Sequence, residues 1–397
     1  MNLLYISKYQ FKKRDGKTFA LPAYGNRFWE KYLDVFERVN VLAEEVKGYL
    51  DNGTLTEITD ERISVEILPR NTAPQEFAND WIVKNKLEEH IRAADAILIK
   101  PSSRKGMMAI KIAEKYAKPY MIELTGDLTL TLRNNPSLLK RLYNPFLHRQ
   151  ILRAIKNCKF GLYVTQEHLQ RVYPIAGEQC GCTDTVLPYI QEEALEKRLS
   201  KIDGMEDQSE IKVGMVASYH DARKGIDTAI KAFSLLEDKR VCLHVLGLGT
   251  QEDRDKWYAY ARQYGVEERL KFDPSVSGVE NVLRWNDEMD LCILPSRSEG
   301  LPRCIVESIS RACPCVISNV CGLPELVDKR WIHEPNDHEQ LSKLINKLLS
   351  DPDQMKQEAE RNFAHSKNYK FDRLKNKRNE FLTRFKNYCL EQKSGNV

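Results

Sequence analysis

Twice along this chain, short apolar runs of strand length alternate with longer stretches of helical periodicity. That alternation leaves few folds open. In the first half, Asn2–Ser7, Val39–Ala43, Ala96–Lys100, Tyr120–Leu124 and Phe160–Thr165 read as strands. A polar loop follows the first of them, and Arg27–Glu37, Lys111–Ala117 and Leu138–Ile155 read as helices. Gln191–Glu210 is polar, highly charged and poor in apolar runs, which predicts a linker with a surface helix. Strands then resume at Ile211–Ala217, Val241–Gly247, Leu270–Asp273, Asp290–Pro295 and Cys315–Ser318. Helices are expected at Ile226–Leu235, Glu252–Tyr264 and around Arg303–Ala312. Strands separated by helices imply parallel sheets covered on both faces. The predicted class is therefore α/β, with two doubly wound, Rossmann-like domains facing a central cleft, where ligands sit at the carboxyl ends of the strands. The expected divisions are residues 1–190, a linker at 191–210, a second domain at 211–365 and a basic C-terminal helix at 366–397.

The length of 397 residues suits two domains, and 42% hydrophobic with 30% charged residues suits a globular chain. No apolar run approaches the roughly 18 residues of a bilayer span. Met1–Ile6 is too short for the core of a signal peptide, so a cytoplasmic location is expected. Ten cysteines lack zinc-ligand spacing and read as buried structural thiols. The net charge of +4 is uneven: residues 366–397 hold nine Lys or Arg against three Asp or Glu, a net of +6 that leaves −2 for the rest. No groove-reading motif accompanies this charge, so no nucleic-acid partner is expected.

The segment Leu294–Ser308, LPSRSEGLPRCIVES, carries the chemistry. Glu299 lies in the loop after a strand, Pro302 opens a helix and Glu307 sits inside it. Gly300 allows the backbone to approach a ligand closely, and free amides with the helix dipole favour a phosphate at the helix start. Two carboxylates flanking an anion-binding amide cluster match a sugar, a diphosphate and a ribose in line.

PSRSEGLPRCIVE, from Pro295 to Glu307, resembles the signature of glycosyltransferase family 4, the group 1 retaining transferases of GT-B fold, in which two glutamates lie eight residues apart. GMVASYHDARKG from Gly214 to Gly225, VLGLG from Val245, MDLCILPS from Met289 and GLPE from Gly322 are similar to further segments of that family. The resemblance covers most of residues 211–330 and is weak over the first half. It implies that Glu299 binds donor-sugar hydroxyls, Glu307 the ribose, and Lys224 the diphosphate with Arg223 as a partner. It further implies backbone contacts from Gly300, Leu301 and Arg303, and residues near Gly247 and Val276 framing the base. Ser218 stands where the family often has arginine. Tyr24-Gly25-Asn26-Arg27 stands for a Gly-Gly loop on the acceptor side, and Thr125 replaces a histidine near the donor sugar. Asp127, after Gly126, is either catalytic or a helix cap.

The implied reaction is a retaining transfer from a nucleotide diphosphate sugar to a glycan or lipid-linked saccharide in surface polysaccharide or glycoconjugate biosynthesis. The donor is a substrate, and no cofactor or metal is expected, because Lys224 and helix amides can stabilise the leaving diphosphate. Alternatives are another GT-B enzyme, such as an inverting transferase or an epimerase, and a catalytically silent nucleotide-sugar-binding subunit. In the tail, Phe371, Leu374, Phe381, Phe385 and Tyr388 interleave with lysines and arginines. Two readings stand for it: a helix packing back on the N-terminal domain, or, with Lys8, Lys12, Lys13, Arg14 and Lys17, peripheral attraction to an anionic membrane at its inner face.

Overall fold

The computed structural model describes residues 1–46, 55–71, 74–127, 129–130 and 138–394. The chain forms two compact units, one of Met1–Thr129, Ser137–Cys182 and Lys375–Val397, the other of Leu130–Pro136 and Thr183–Leu374. Among the described residues no helix is long and apolar enough to cross a membrane.

The first unit contains β1 (Asn2–Arg14), β2 (Lys17–Ala20), α1 (Asn26–Leu33), β3 (Arg38–Glu45), β4 (Thr56–Ile58) and β5 (Ile63–Leu68). It continues through α2 (Asp80–Ala93), β6 (Ala96–Ile99), α3 (Arg104–Lys115), β7 (Tyr120–Leu124), α4 (Leu138–Ile155), β8 (Phe160–Tyr163), α5 (His168–Val172) and β9 (Glu178–Gly181). Seven strands run parallel in the order β5-β3-β1-β6-β7-β8-β9. Strands buried on both faces need near-continuous apolar runs, and Leu3–Ile6 and Ala96–Ile99 are fully or almost fully buried. The expected polar loop after Ser7 is instead strand. The far half of β1 turns through Asp15–Gly16, both at positive φ, and pairs antiparallel with β2. An Asp-Gly pair between strands is a hairpin signal, so Lys12, Lys13, Arg14 and Lys17 belong to a ribbon.

The second unit contains α6 (Glu193–Asp203), β10 (Ile211–Val216), α7 (Ile226–Ser234), β11 (Val241–Leu246), α8 (Gln251–Gln263), β12 (Leu270–Asp273) and α9 (Val279–Glu288). Then come β13 (Leu291–Leu294), α10 (Arg303–Ser310), β14 (Cys315–Ser318), β15 (Ile332–His333), α11 (His338–Leu349) and α12 (Pro352–Ser366). Its parallel order is β12-β11-β10-β13-β14-β15, the doubly wound arrangement in which the strand order reverses beside β10. The stretch 191–210 is not a free linker. Ala194, Arg198 and Ile202 of α6 are buried at four-residue spacing, and α6 packs on α12. The Arg198 guanidinium donates to the carbonyls of Asn286, Met289 and Arg311, and Lys201 pairs with Asp290 at 3.0 Å. The many Glu and Lys of the stretch conceal this stripe in the sequence.

All ten cysteines are buried. The last helix, α13 (Phe371–Ser394), packs its aromatic residues on the first unit: Phe381, Phe385 and Tyr388 lie 5.8, 5.4 and 5.4 Å from the ring of Phe160. Three of its cations meet acids of the same unit, Lys375 with Asp34, Arg384 with Glu178 and Lys393 with Asp95.

Candidate active site

The loops after β10 and β13 lie at the point where the strand order of the second unit reverses, the usual ligand position in such sheets. The first loop ends in the short turn Ala222–Lys224 and Gly225. Gly225 has φ +80°, and a Cβ there would stand 2.2 Å from the Pro295 carbonyl oxygen, so glycine is required twice over. This close approach of the two loops places Lys224 against Glu299: Nζ donates to Oε1 at 2.8 Å, and Ser296 Oγ donates to the same oxygen at 2.7 Å. Burial works against the Lys224 ammonium, yet neighbouring Cys304 and Glu299 hold its pKa above the usual lysine value. Burial pushes the Cys304 thiol up to about 12, so at neutral pH the counter-charge is that of Glu299. Lys224 is thus a charged ammonium, with its side chain 24% exposed, beside a carboxylate it can exchange for an anionic ligand.

Arg297, two residues before Glu299, is not singled out by the sequence reading. Its guanidinium donates to the Ala222 carbonyl, to Asp227 at 2.6 Å, to Thr228 at 3.2 Å and to Asn336. Its amide donates to the Arg223 carbonyl at 2.7 Å. Together these bonds tie the Lys224 turn to the Glu299 loop. Arg223 itself forks onto Asp221, with bonds of 2.9 and 2.8 Å, and its side chain is mostly exposed.

Glu307 is buried in α10 and accepts from Arg303 Nε at 2.6 Å. Burial raises its pKa, and the Arg303 charge only partly offsets that. Among the described residues no side chain caps the start of α10, whose first amides have no intrahelical partner. Pro302 sits one residue before the helix rather than in its first position. Gly300 accepts from Gly322 N at 3.0 Å, and Leu301 from Thr185 Oγ1 at 3.4 Å, which fixes the turn leading into α10. Ser218 is half-buried in the loop after β10, and Val276 is exposed between β12 and α9. Gly247 has a packing reason of its own, since a Cβ there would lie 1.9 Å from the Ala217 carbonyl oxygen.

In the first unit, the corresponding reversal lies between β1 and β6. Lys100, directly after β6, is buried; its Nζ lies 3.3 Å from Glu123 Oε2 and donates to Thr125 Oγ1 at 3.2 Å. Glu123 also accepts from Tyr5 at 2.6 Å and Tyr32 at 3.0 Å. Burial, then the Glu123 charge, pushes the Tyr5 pKa well up, so its hydroxyl stays a donor. A lysine and a glutamate inside otherwise apolar strand ends are unusual enough to have marked this network in the sequence. Asp127 is buried and accepts from Tyr173 OH at 2.9 Å and from Thr129 N and Oγ1 at 2.9 and 2.6 Å, with His168 Nε2 at 3.3 Å. Asn26 uses its amide to hold Thr59 and Asp60, Gly25 donates to the Pro22 carbonyl, and Arg27 is exposed.

The family model described as glycosyl transferases group 1 matches residues 198–365. Protein CapJ of Staphylococcus aureus is 26% identical over 394 residues, 97% of this chain and 96% of CapJ. The lipopolysaccharide glucosyltransferase WaaG of Escherichia coli is 26% identical over 155 residues, 37% of this chain and 39% of WaaG. Among solved structures, Anabaena HepE in complex with UDP superposes with a TM-score of 0.66 at 14% identity, covering 96% of this chain and 100% of HepE. The Rossmann-like units and the structural likeness give the GT-B fold, and residues 198–365 carry the match to the group 1 glycosyl transferases.

Proposed function

We propose that this chain moves a sugar from a nucleotide diphosphate sugar to a saccharide or lipid-linked saccharide, with retention of anomeric configuration, in the building of a surface polysaccharide or glycoconjugate. The carrying observation is the Lys224–Glu299 contact of 2.8 Å beside the uncapped start of α10. In this reading the donor diphosphate displaces Glu299 from Lys224 and lies on the α10 amides, with Gly300, Leu301 and Arg303 supplying backbone contacts. Glu299 is then freed to accept from donor-sugar hydroxyls, while Glu307 accepts from the ribose. HepE is solved in complex with UDP and WaaG is a lipopolysaccharide glucosyltransferase, which supports a nucleotide sugar and a glycan acceptor here.

As the bond from the anomeric carbon to the diphosphate oxygen breaks, the diphosphate takes the acceptor hydroxyl's proton. The acceptor oxygen bonds the same face of the sugar. Negative charge on the leaving group grows along this path, so Lys224 and the α10 amides interact more strongly with the transition state than with the bound donor. No metal is assigned a part. Lys100, Thr125 and Asp127, with Gly25, Asn26 and Arg27, are assigned to the acceptor-facing side. The proposed place of action is the cytoplasm, at the inner face of the membrane.

The test is a panel of nucleotide sugars, screened first by thermal stabilisation of the purified chain and then for transfer or slow donor hydrolysis in EDTA. The expected result is one stabilising donor, turnover in EDTA and a product whose NMR coupling retains the donor's anomeric configuration. An inverted product, or strict dependence on added magnesium or manganese, would overturn the mechanism.

A further inference from the structure

In the second unit the loops after β12, β11 and β10 follow one another along the sheet toward the reversal that holds Lys224. Ligands of doubly wound sheets lie along such strand ends, so these loops are the neighbours of the proposed diphosphate position. Pro274, Ser275, Val276 and Ser277, which lead from β12 to α9, are all exposed. Packing of their own side chains therefore does not set the path of this loop. Its anchor is Tyr219, next to Ser218 in the loop after β10 and only 1% exposed.

Tyr219 reaches each of these loops. Its hydroxyl donates to the Asp273 carbonyl at 3.2 Å, at the end of β12, and lies 3.4 Å from the Val245 carbonyl of β11. Its amide donates to the Leu248 carbonyl at 2.9 Å, just after β11, and its own carbonyl accepts from Trp257 Nε1 of α8 at 2.8 Å. Its ring meets Phe272 edge-on at 4.6 Å. Gly249 carries an independent mark of this ring. A Cβ there would stand 2.3 Å from Tyr219 Cδ2, so the last glycine of VLGLG leaves room for the phenol. Burial raises the Tyr219 pKa, which keeps the hydroxyl a donor. The Asp273 carboxylate is held as well, accepting from Trp285 Nε1 at 2.6 Å and meeting His244 Nδ1 at 3.2 Å. The end of β12 is thus pinned at its carbonyl by Tyr219 and at its carboxylate by Trp285 and His244, directly before the exposed loop begins.

We propose that Tyr219 is a positioning residue for the donor: through the Asp273 carbonyl and the Gly249 turn it fixes the loops that frame the nucleobase, and so sets how sharply one base is preferred over others. This rests on the donor-site reading, in which Gly247 and Val276 lie at the base. The buried phenol acts through the backbone it holds and not by touching the nucleotide. A pocket of fixed shape rejects the wrong base because polar groups are left unpaired, and a loop free to shift relieves that penalty. Loss of the hydroxyl should therefore weaken discrimination without changing the charge that Lys224 and the α10 amides offer a diphosphate.

The test is calorimetric binding of UDP, GDP, ADP and CDP to the full chain, for wild type, Tyr219→Phe and a core control, Ile345→Val. The wild type is expected to prefer one of these nucleotides. Tyr219→Phe keeps the ring against Phe272 and Gly249 but frees the Asp273 carbonyl. Its affinity for the preferred nucleotide should fall about fivefold, the worth of roughly one hydrogen bond, while affinity for the others changes less than about twofold. Ile345 is buried in α11, so the control should melt lower with its preference intact, which separates positioning from a mere loss of stability. Trp285→Phe releases the same strand end from the carboxylate side and should narrow the preference in the same way, so the inference stays testable if Tyr219→Phe does not fold. A folded Tyr219→Phe chain that keeps the wild-type preference, or that loses affinity for every nucleotide alike, would overturn the inference and leave the donor site standing. The same holds if the control narrows the preference equally. A wild-type chain that binds none of these nucleotides would instead overturn the donor-site reading, and the inference with it.

Discussion

Replacing Lys224 with alanine removes the ammonium that faces Glu299 at 2.8 Å, in a site where it is mostly shielded from water. At about 4 Å from a diphosphate oxygen and an effective dielectric of about 20, that charge attracts a unit negative charge by roughly 4 kcal/mol. Only the part that grows as the leaving group departs accelerates the reaction. A single preorganised group of this kind contributes ~2.7–4 kcal/mol, or about 10²–10³ in kcat. The Lys224 side chain keeps 24% of its exposure, so the lower end applies, a loss of about 100-fold. The assay is steady-state transfer with the identified donor, together with donor binding by calorimetry. The Lys224→Ala variant should lose kcat while its donor affinity falls less than about tenfold. An unchanged kcat with donor affinity reduced by the full factor would show that Lys224 binds donor and transition state equally, and would refute the reasoning.

Three further outcomes concern the scaffold. His244 sits between Asp273, at 3.2 Å, and Glu210, at 2.9 Å; burial opposes its charge, but the two carboxylates hold its pKa above the usual value. That contribution is complete below the unfolded value of about 6.5 and is lost as pH rises through the raised folded value. The melting-temperature advantage of wild type over His244→Gln should thus be larger at about pH 6 than at about pH 9, and an advantage that grows with pH would contradict it. Gly225→Ala forces a Cβ onto the Pro295 carbonyl at positive φ, so it should cost at least about 2 kcal/mol and several degrees of melting temperature, and an unchanged melt would count against the geometry. Phe385→Ala empties a fully buried site against Phe160 and should cost about 3–5 kcal/mol in urea unfolding; a loss below about 1 kcal/mol would mean that α13 is not part of the core.

The second unit was the more legible in sequence. Its strands are continuous apolar runs, and Gly225, Pro302 and Pro314 punctuate them, so Leu270–Asp273 and Cys315–Ser318 were placed at their observed bounds. The first unit hid more. A run of lysines obscures the Asp15–Gly16 hairpin, and the sequence pattern does not reveal α2 and β5, because their apolar residues are interspersed with charged ones. Gln191–Glu210 reads as a linker with a surface helix; the helix is present as α6, and its buried stripe of Ala194, Arg198 and Ile202 is hidden among charges. Within the site, the glutamates and Lys224 stood out by spacing and context. Arg297 did not, because its partners Ala222, Asp227, Thr228 and Asn336 come from chain segments distant in sequence. The same holds for Lys100, whose meaning depends on the adjacent strand that carries Glu123.

The assignment of the donor site rests most heavily on Glu299, which the α10 loop holds against Lys224 and Ser296. Glu299→Gln keeps the shape and the hydrogen bond from Ser296 but removes the charge offered to the sugar hydroxyls, bonds typically worth ~1.5–3 kcal/mol each to a charged acceptor. The decisive measurement is single-turnover transfer from the identified nucleotide sugar by this variant at saturating donor. A transfer rate at least about 100-fold below wild type, with the melting temperature preserved, is the predicted result. Wild-type transfer by Glu299→Gln would contradict the account, because the sugar would then be held elsewhere.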